Sequence, residues 1–240
     1  MTDPLPDPFD DFWTASRLTP VTQRRFAERL REYRPEFSGT DPFALPGRYH
    51  ALRRSADGLD RTFRRRRSSR EFREEPLPAK QLGMVLAALA DDETRSYPSA
   101  GGLYPLRCYP LLLNVRHELG GRVCRYEPSR HAVQDVAPCP SWAELAPMMG
   151  ASGTDGPGPQ LVLAFVLADE PLVAKYGVRG GRFGLIEAGS AVQSVALRLA
   201  AERLGGYLLG GAADTPVLDL LGLAGQPVRL AAALAAGIPS

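Results

Sequence analysis

A lysine and a tyrosine stand next to each other at positions 175 and 176, and together they could abstract a proton. Lys80 and Lys175 are the only lysines in the chain, whose other basic side chains are arginines. An ammonium group beside a phenol favours the phenolate, which can serve as a general base. However, consecutive residues on a helix do not face each other, so Lys175 and Tyr176 could equally belong to a capped loop without chemistry.

An arginine-rich segment over residues 66–72 (RRSSREF) is a candidate phosphate site. Arg66, Arg67 and Arg70 carry guanidinium forks that can bind a phosphate through paired hydrogen bonds, and Ser68 adds a hydroxyl group. Basic runs are more often solvated faces of a protein, so this segment alone is weak evidence for a phosphate ligand.

A glycine segment over residues 96–105 (SYPSAGGLYP) is a candidate contact for a flat ligand. Gly101 and Gly102 have no side chain and let the main chain approach a ring closely, while Pro98 and Pro105 restrict the two ends. An ordinary tight connection between a helix and a strand would explain the same residues. The segment is not a phosphate-binding loop, because no lysine follows the glycines, and the chain contains no G-x-G-x-x-G motif.

The helices that must position these segments are indicated by apolar residues at helical spacing. This spacing predicts an amphipathic helix over 81–90 and a long helix over 183–204. The charged residues 22–33 fit a further short helix. Gly205 and Gly206 supply the stop signal of the long helix.

Short apolar runs predict the strands of a sheet. Continuous runs over 108–115 and 161–168 predict two central strands, and residues 122–126 and 131–136 predict a shorter pair. The alanine-rich segment 229–238 fits a helix by composition and a strand by its position before a glycine and a proline. Periodicity does not decide between these alternatives.

Length, charge and composition limit the classes of function. The 240 residues, 44% of them hydrophobic, suffice for one main domain. A formal net charge of +2 gives no field that would attract nucleic acid or an anionic membrane, so a small-molecule or peptide substrate is expected. Cys108, Cys124 and Cys139 lack the spacing of zinc or disulfide frameworks, and we expect reduced thiols and no metal site. Without a long apolar stretch, the protein is expected in the cytoplasm.

Three segments in this order resemble one enzyme family. RRSSREF, SYPSAGGLYP and the segment 175–189 (KYGVRGGRFGLIEAG) are similar to the SagB-type azoline dehydrogenases of the FMN-dependent nitroreductase superfamily. The resemblance covers roughly residues 49–239. It implies an α+β, nitroreductase-like FMN-binding fold with a mixed or antiparallel central sheet flanked by helices. It further implies an intertwined homodimer with two FMN sites at the subunit interface, in which residues 1–60 are an N-terminal extension and 61–240 form the FMN-binding domain.

The resemblance also assigns roles to residues of this chain. The residues expected to hold the phosphate and ribityl chain of FMN are Arg66, Arg67, Ser68 and Arg70. The residues expected along the isoalloxazine ring are Pro98, Ser99, Ala100, Gly101 and Gly102 on one side, and Gly205 and Gly206 on the other. Lys175 and Tyr176 correspond to the pair regarded as catalytic in azoline oxidation, with Tyr176 as the base and Lys175 tuning it.

Two positions and the C-terminal segment depart from the family pattern. Ser190 stands where the family usually has histidine, and Ser194 where it has asparagine. The C-terminal segment offers only Arg229 as a further cation for the phosphate.

The reaction implied by the resemblance is oxidation of peptide thiazolines or oxazolines to azoles in ribosomal peptide natural-product biosynthesis. The expected partners are an azoline-containing peptide, a second copy of the chain and a cyclodehydratase complex. Three alternatives stay open: an NAD(P)H-dependent nitroreductase-like flavin reductase, an oxidase of carrier-bound thiazolines, and a catalytically degenerate scaffold for a cyclodehydratase.

Overall fold

A computed structural model describes most of the chain. The described residues are 8–33, 50–53, 56–92, 95–151 and 156–240. Parts of the predicted N-terminal extension, namely residues 1–7, 34–49 and 54–55, lie outside them.

Within the described residues, six strands form one antiparallel sheet. These strands are β2 (Leu106–Leu111), β4 (Arg122–Glu127), β5 (Ala132–Pro138), β6 (Leu161–Ala168), β7 (Gly205–Leu208) and β8 (Val228–Gly237). Their spatial order is β5-β4-β2-β6-β8-β7. A separate parallel pair joins β1 (Leu77–Pro78) to β3 (Val115–Arg116).

The centre of the sheet is the apolar run of β6, which pairs with β2 on one side and β8 on the other. The predictions of a buried strand over 161–168 and of a strand pair over 122–136 are confirmed. The alanine-rich segment is a strand, because it forms ladders with both β6 and β7. The run predicted over 108–115 divides into β2 and β3, since the chain leaves the main sheet after Leu111.

Helices cover both faces of the sheet, so the expected α+β class is confirmed. The helices on one face are α1 (Pro8–Ser16), α4 (Ala79–Leu86), α6 (Asp169–Tyr176) and α7 (Gly180–Ala201). Those on the other face are α5 (Trp142–Met148) and α8 (Asp214–Leu220). Successive β6 residues alternate between the two apolar cores, as side chains of a strand must.

The helices differ from the sequence predictions in two ways, since α1, α5, α6 and α8 were not predicted and the bounds of α7 are different. Helix α5 was not predicted, although Ser141 and Glu144 form a capping box at its start. Helix α7 begins three residues before the predicted 183, because Gly180 and Gly181 pack closely enough to continue it towards α6. It also ends three residues before the predicted 204, and Gly205 and Gly206 belong to β7.

The N-terminal helices α1 and α2 (Pro20–Glu32) contact the body of the protein. Phe9 and Trp13 of α1 belong to the apolar core under α7. Between the helices, Leu18 exchanges hydrogen bonds with Asp214. The side-chain amide of Gln23 in α2 donates to the carbonyl of Gly211 at 2.6 Å. The helix predicted over 22–33 is confirmed as α2.

In the described part of the chain, no helix combines the length and apolar character required to cross a bilayer. All three cysteines carry free thiols. Burial raises the pKa of Cys124 and of Cys139 to about 11, which keeps both thiols protonated and unreactive near neutral pH.

Candidate active site

The arginine segment lines a cavity of about 260 Å³. Helix α3 (Gly58–Arg65) ends immediately before Arg66, and the chain then runs extended along the edge of β7. Ser68 forms a parallel bridge with Gly206, and the backbone N–H of Ser69 donates to the carbonyl of Gly206 at 3.1 Å. The predicted group of Arg66, Arg67, Ser68 and Arg70 therefore meets Gly206 in one cavity.

The glycines at 205 and 206 allow this close approach. A Cβ added at Gly205 would lie 2.6 Å from Oγ of Ser69, and one added at Gly206 would lie 2.6 Å from the carbonyl oxygen of Ala235. Side chains at these positions would push the arginine segment or β8 away. The glycines are thus required by packing between three neighbouring segments.

The other wall of the cavity is apolar and comes mainly from α7. Its residues are Val192, Ala196, Leu199 and Ala200 of α7, together with Leu204 and Leu234. Arginine forks on one side and aliphatic groups on the other suit a ligand that carries both a phosphate and an apolar ring.

Tyr207 is a residue of this cavity that the sequence reasoning missed. The guanidinium carbon of Arg70 lies 5.3 Å from the centroid of the Tyr207 ring, and Phe72 stacks on the same ring at 6.4 Å. Burial raises the pKa of the Tyr207 phenol, so the ring stays neutral and acts as a packing surface that orients Arg70. Its position directly after Gly205 and Gly206 was the available signal.

The glycine segment forms a tight loop with unusual backbone angles. Gly101 has φ 60° and Gly102 φ 67°, both in the left-handed region that favours glycine. Tyr104 also has a positive φ, 45°, and its backbone N–H donates to Oγ of Ser99 at 2.8 Å. This hydrogen bond closes the loop around the two glycines.

Lys175 and Tyr176 meet this loop at Gly101. Nζ of Lys175 lies 3.4 Å from the Gly101 carbonyl oxygen. A Cβ added at Gly101 would overlap Nζ of Lys175 and would lie 2.5 Å from Oη of Tyr176. Nζ of Lys175 is 5.6 Å from the centroid of the Tyr176 ring, and Phe183 packs against that ring edge-on at 4.8 Å.

The pair can converge although its members are consecutive, because it lies at the end of α6. Tyr176 is the last residue of α6 and has φ −125° and ψ 0°, outside the helical range. Gly177 follows with φ 55° and turns the chain towards α7. Lys175 and Tyr176 therefore lie at a helix end rather than in a loop, and their side chains face Gly101.

A buried carboxylate, Glu187, binds the loop through Ser99. Its side chain is on α7 and the residue is only 2% exposed. Oγ of Ser99 donates to Oε2 of Glu187 at 2.5 Å, while Oε1 has no hydrogen-bond partner among the described residues. Burial raises the pKa of Glu187, against the opposing effects of hydrogen bonds from Ser99 and the Leu106 backbone. In the sequence Glu187 is visible only as part of the segment 175–189, which does not predict this contact.

Arg95, whose side chain is 9% exposed, contacts two tyrosines of the same loop. Its guanidinium carbon lies 4.2 Å from the centroid of the Tyr104 ring, and its Nη2 forms an ion pair with Asp91 at 2.8 Å. Nη1 donates to Oη of Tyr97 at 3.3 Å. Together with Glu187 these contacts fix the backbone of the loop at both ends.

The positions that depart from the family pattern make backbone contacts. Oγ of Ser190 donates to the carbonyl of Ile186 at 2.9 Å, and Oγ of Ser194 lies 3.4 Å from the carbonyl of Ser96. Arg229, the C-terminal cation available for a phosphate, lies outside the arginine cavity and forms an ion pair with Asp169 instead.

The predicted site residues thus form two groups within one chain. Pro98, Ser99, Ala100, Gly101 and Gly102 assemble with Lys175 and Tyr176, whereas the arginines assemble with Gly205 and Gly206. The groups contact different faces of α7, because Glu187 and Ala196 are nine residues apart, which is about two and a half helical turns.

The chain is similar in sequence to known proteins over most of its length. The model of the Nitroreductase family matches residues 63–238. MJ1384 of Methanocaldococcus jannaschii, a nitroreductase by name, is 30% identical over 177 residues, which are 69% of this chain and 85% of that protein. The Microcin B17-processing protein McbC of Escherichia coli is 31% identical over 106 residues, which are 43% of this chain and 39% of McbC.

Two solved structures share the fold. A chain of the E. coli microcin synthetase McbBCD complex with truncated pro-MccB17 bound has a TM-score of 0.72 at 20% identity, with 94% of this chain and 96% of that chain covered. A nitroreductase from Desulfovibrio desulfuricans in complex with FMN has a TM-score of 0.52 at 19% identity, with 78% and 88% covered. At these identities the likeness concerns the fold alone.

Proposed function

This chain belongs to the nitroreductase family, and on that premise we propose that it is an FMN-dependent dehydrogenase that oxidises thiazolines or oxazolines in peptides to azoles. The nitroreductase-like fold implied by the resemblance is confirmed. The observation that carries the finer proposal is the meeting of Lys175 and Tyr176 with Gly101. Similarity to a protein named for processing microcin B17 supports a role in the biosynthesis of a modified ribosomal peptide.

The arginine cavity has the chemistry that FMN requires. In this proposal Arg66, Arg67, Ser68 and Arg70 hold the phosphate and ribityl chain, and the apolar wall from α7 contacts the ring. The fit rests on the arginine forks at one side of the cavity and the aliphatic groups at the other. FMN, when bound, supplies the acceptor for a hydride.

A second copy of the chain would complete the site. The arginine cavity and the loop of Gly101 contact different faces of α7, so we propose that the loop near one flavin comes from the partner subunit. Between these faces α7 exposes Ile186, which is 62% exposed, together with Gly189. Packing of this stripe on its own copy gives a two-fold dimer, the commonest closed oligomer. Light scattering that finds a monomer with full flavin occupancy would contradict this arrangement.

The chemistry assigned to the protein side chains is proton removal. An azoline becomes an azole by losing a proton from the α-carbon and a hydride from the neighbouring ring carbon. Oη of Tyr176 takes the proton, and the ammonium of Lys175 stabilises the phenolate. The Gly101 carbonyl holds Lys175 in position for this role.

The peptide substrate and a cyclodehydratase partner are further parts of the proposal. The fold likeness to a chain of a synthetase complex with a bound pro-peptide supports both. The division of the chain into an extension over 1–60 and an FMN-binding domain over 61–240 is also part of the proposal, and the family model matches residues 63–238.

The test combines an absorption spectrum of the purified protein with mass spectrometry of a cyclised peptide. We expect bound flavin and a loss of about 2 Da per ring, the mass of the two hydrogens transferred in the oxidation. The similarity to MJ1384 favours a nicotinamide-dependent flavin reductase as the second candidate. Consumption of NAD(P)H without any change in peptide mass would support that candidate and overturn the first. A protein that binds no flavin would indicate a scaffold.

A further inference from the structure

The helix that carries Lys175 and Tyr176 is tied down at its opposite end by an arginine. Asp169 begins α6 and is largely buried. Nε and Nη2 of Arg229, on β8, contact Oδ2 of Asp169 at 2.8 and 2.7 Å. Charge-assisted contacts of this kind, shielded from solvent, are stronger than ordinary surface ion pairs. The start of α6 is therefore fixed to the sheet.

The same guanidinium also binds the N-terminal helix. Nη2 of Arg229 lies 2.7 Å from Oδ1 of Asp10 in α1. The Arg229 side chain is 15% exposed, and Asp10 is 55% exposed. One arginine thus connects three elements, namely α1, β8 and the first turn of α6.

Helix α1 also packs beside the other end of α6. Phe9 and Trp13 are 4% and 7% exposed and lie over Gly181, where a Cβ would be 3.4 Å from the Phe9 ring and 3.7 Å from the indole nitrogen of Trp13. Gly181 is in the first turn of α7, and α1 contacts the turn Gly177–Arg179 that directly follows Tyr176. Aromatic side chains bury large areas, so this contact is the stronger part of the attachment.

Helix α6 has little freedom to shift between these two attachments. A Cβ added at Gly180 would lie 2.6 Å from the carbonyl oxygen of Leu172, so α6 and α7 are packed with their backbones almost in contact. Movement of either end of α6 must therefore move Tyr176 or open this contact.

We propose that α1 is a positioning element of the active site, which holds α6 so that Lys175 and Tyr176 stay against Gly101. The inference rests on the role proposed above for Lys175 and Tyr176. Helix α1 lies before residues 63–238, the part matched by the family model. The N-terminal segment accordingly contributes to chemistry that is carried by residues of the matched domain.

The first test uses the two lysines of the chain. The purified full-length protein is treated with a limiting amount of an acetylating ester, and mass spectrometry measures acetylation of Lys175 relative to Lys80, which is the internal reference. Both lysines are exposed. In Trp13→Ala and in Asp10→Asn we expect the ratio to rise by about two- to tenfold, the change that corresponds to losing one hydrogen bond of ordinary net strength. The rise is expected because Nζ of Lys175 is released from the Gly101 carbonyl.

The matched control is Asp11→Asn, the same substitution on the next residue of α1. Asp11 is exposed and has no ion pair within the described residues, so its variant should keep the wild-type ratio. Asp10→Glu keeps the charge and should therefore keep the wild-type ratio of Lys175 to Lys80 acetylation. If Trp13→Ala fails to fold, Asp10→Asn decides alone, because its side chain is more than half exposed. An unchanged ratio in the folded variants, or an equal rise in Asp11→Asn, overturns the inference.

A double-mutant cycle separates positioning from general stability. In the Tyr176→Phe background, Trp13→Ala should cause no further loss of azoline oxidation, because α1 acts through the residue already removed. In the wild-type background it should lower kcat and leave KM and the FMN dissociation constant unchanged. If the loss of azoline oxidation in the double variant equals the product of the losses in the two single variants, the inference is overturned. If the wild-type protein oxidises no azoline, the proposed function fails, and the acetylation ratio still decides the role of α1.

Discussion

Nζ of Lys175 lies 3.4 Å from the carbonyl oxygen of Gly101, and Gly101 is also the position where a methyl group would strike Oη of Tyr176. The glycine is therefore needed for space as well as for its backbone angle. Two segments that are more than seventy residues apart in the chain depend on each other at this point.

Gly101→Ala should disable the site by displacing the Lys175–Tyr176 pair. The new methyl group would overlap both side chains, and a displacement of about 1 Å can lower the rate of oxidation about 100-fold. Gly102→Ala is the matched variant, because it carries a similar left-handed backbone cost, about 1 to 2 kcal/mol, but its Cβ meets nothing within 4 Å. Peptide mass loss measured at saturating FMN should fall further for Gly101→Ala. Equal losses in both variants would mean that strain, rather than the contact, matters.

Tyr176→Phe tests the proposed base. The variant keeps the ring that packs on Phe183 and removes only the hydroxyl group. We expect normal FMN binding and a loss of azoline oxidation of about 10² to 10⁴, the range of general acid-base catalysis. The rate is followed by peptide mass with FMN saturating. A variant that works at the wild-type rate would remove Tyr176 from the mechanism.

Lys175→Arg tests whether charge alone is sufficient at this position. Arginine keeps the positive charge, but its fork is larger than the ammonium group that contacts the Gly101 carbonyl oxygen, and it cannot give up its proton. We expect most of the azoline oxidation to be lost, as in Lys175→Ala. Lys80→Arg, the same change at the other lysine, should leave the rate unchanged. Substantial activity in Lys175→Arg would show that the role is electrostatic.

Arg66→Ala and Arg70→Ala should weaken FMN binding. Each variant removes charge-assisted hydrogen bonds worth about 1.5 to 3 kcal/mol, so the dissociation constant should rise about tenfold or more. Arg65→Ala is the control, since Arg65 is the last residue of α3 and does not line the cavity. Flavin fluorescence titration measures the FMN dissociation constants of all three variants. Unchanged constants for Arg66→Ala and Arg70→Ala would mean that the segment is a solvated basic face.

Glu187→Gln should change how stability depends on pH. Burial raises the pKa of Glu187 above its ordinary value of 4.5, so the folded protein binds this proton more tightly than the unfolded chain does. Stability from this group is present at low pH and is lost as pH rises above 4.5. Glutamine is neutral at every pH. The free energy of unfolding in urea should therefore rise for the variant, relative to that of the wild type, as pH rises. A constant difference between them would contradict the raised pKa.

The sequence by itself determined the features that depend on local composition. The apolar runs predicted β6 and the β4–β5 pair, and helical spacing predicted α7, because side-chain periodicity reports which face of an element is buried. The order of three motifs pointed to the family, and the family match over 63–238 agrees with it. The capping box of Ser141 and Glu144 was also visible, although helix α5 was not predicted from it.

Only the tertiary structure decided the features that depend on distant neighbours. The segment 229–238 is a strand because β6 and β7 supply partners on both sides, a fact that alanine composition does not contain. Glu187 supports the glycine loop through Ser99, 88 residues away in the chain. Arg229, which the sequence offered to a phosphate, joins Asp10 to Asp169. A hydrogen bond or ion pair forms wherever folding brings the groups together, so sequence spacing cannot specify such partners.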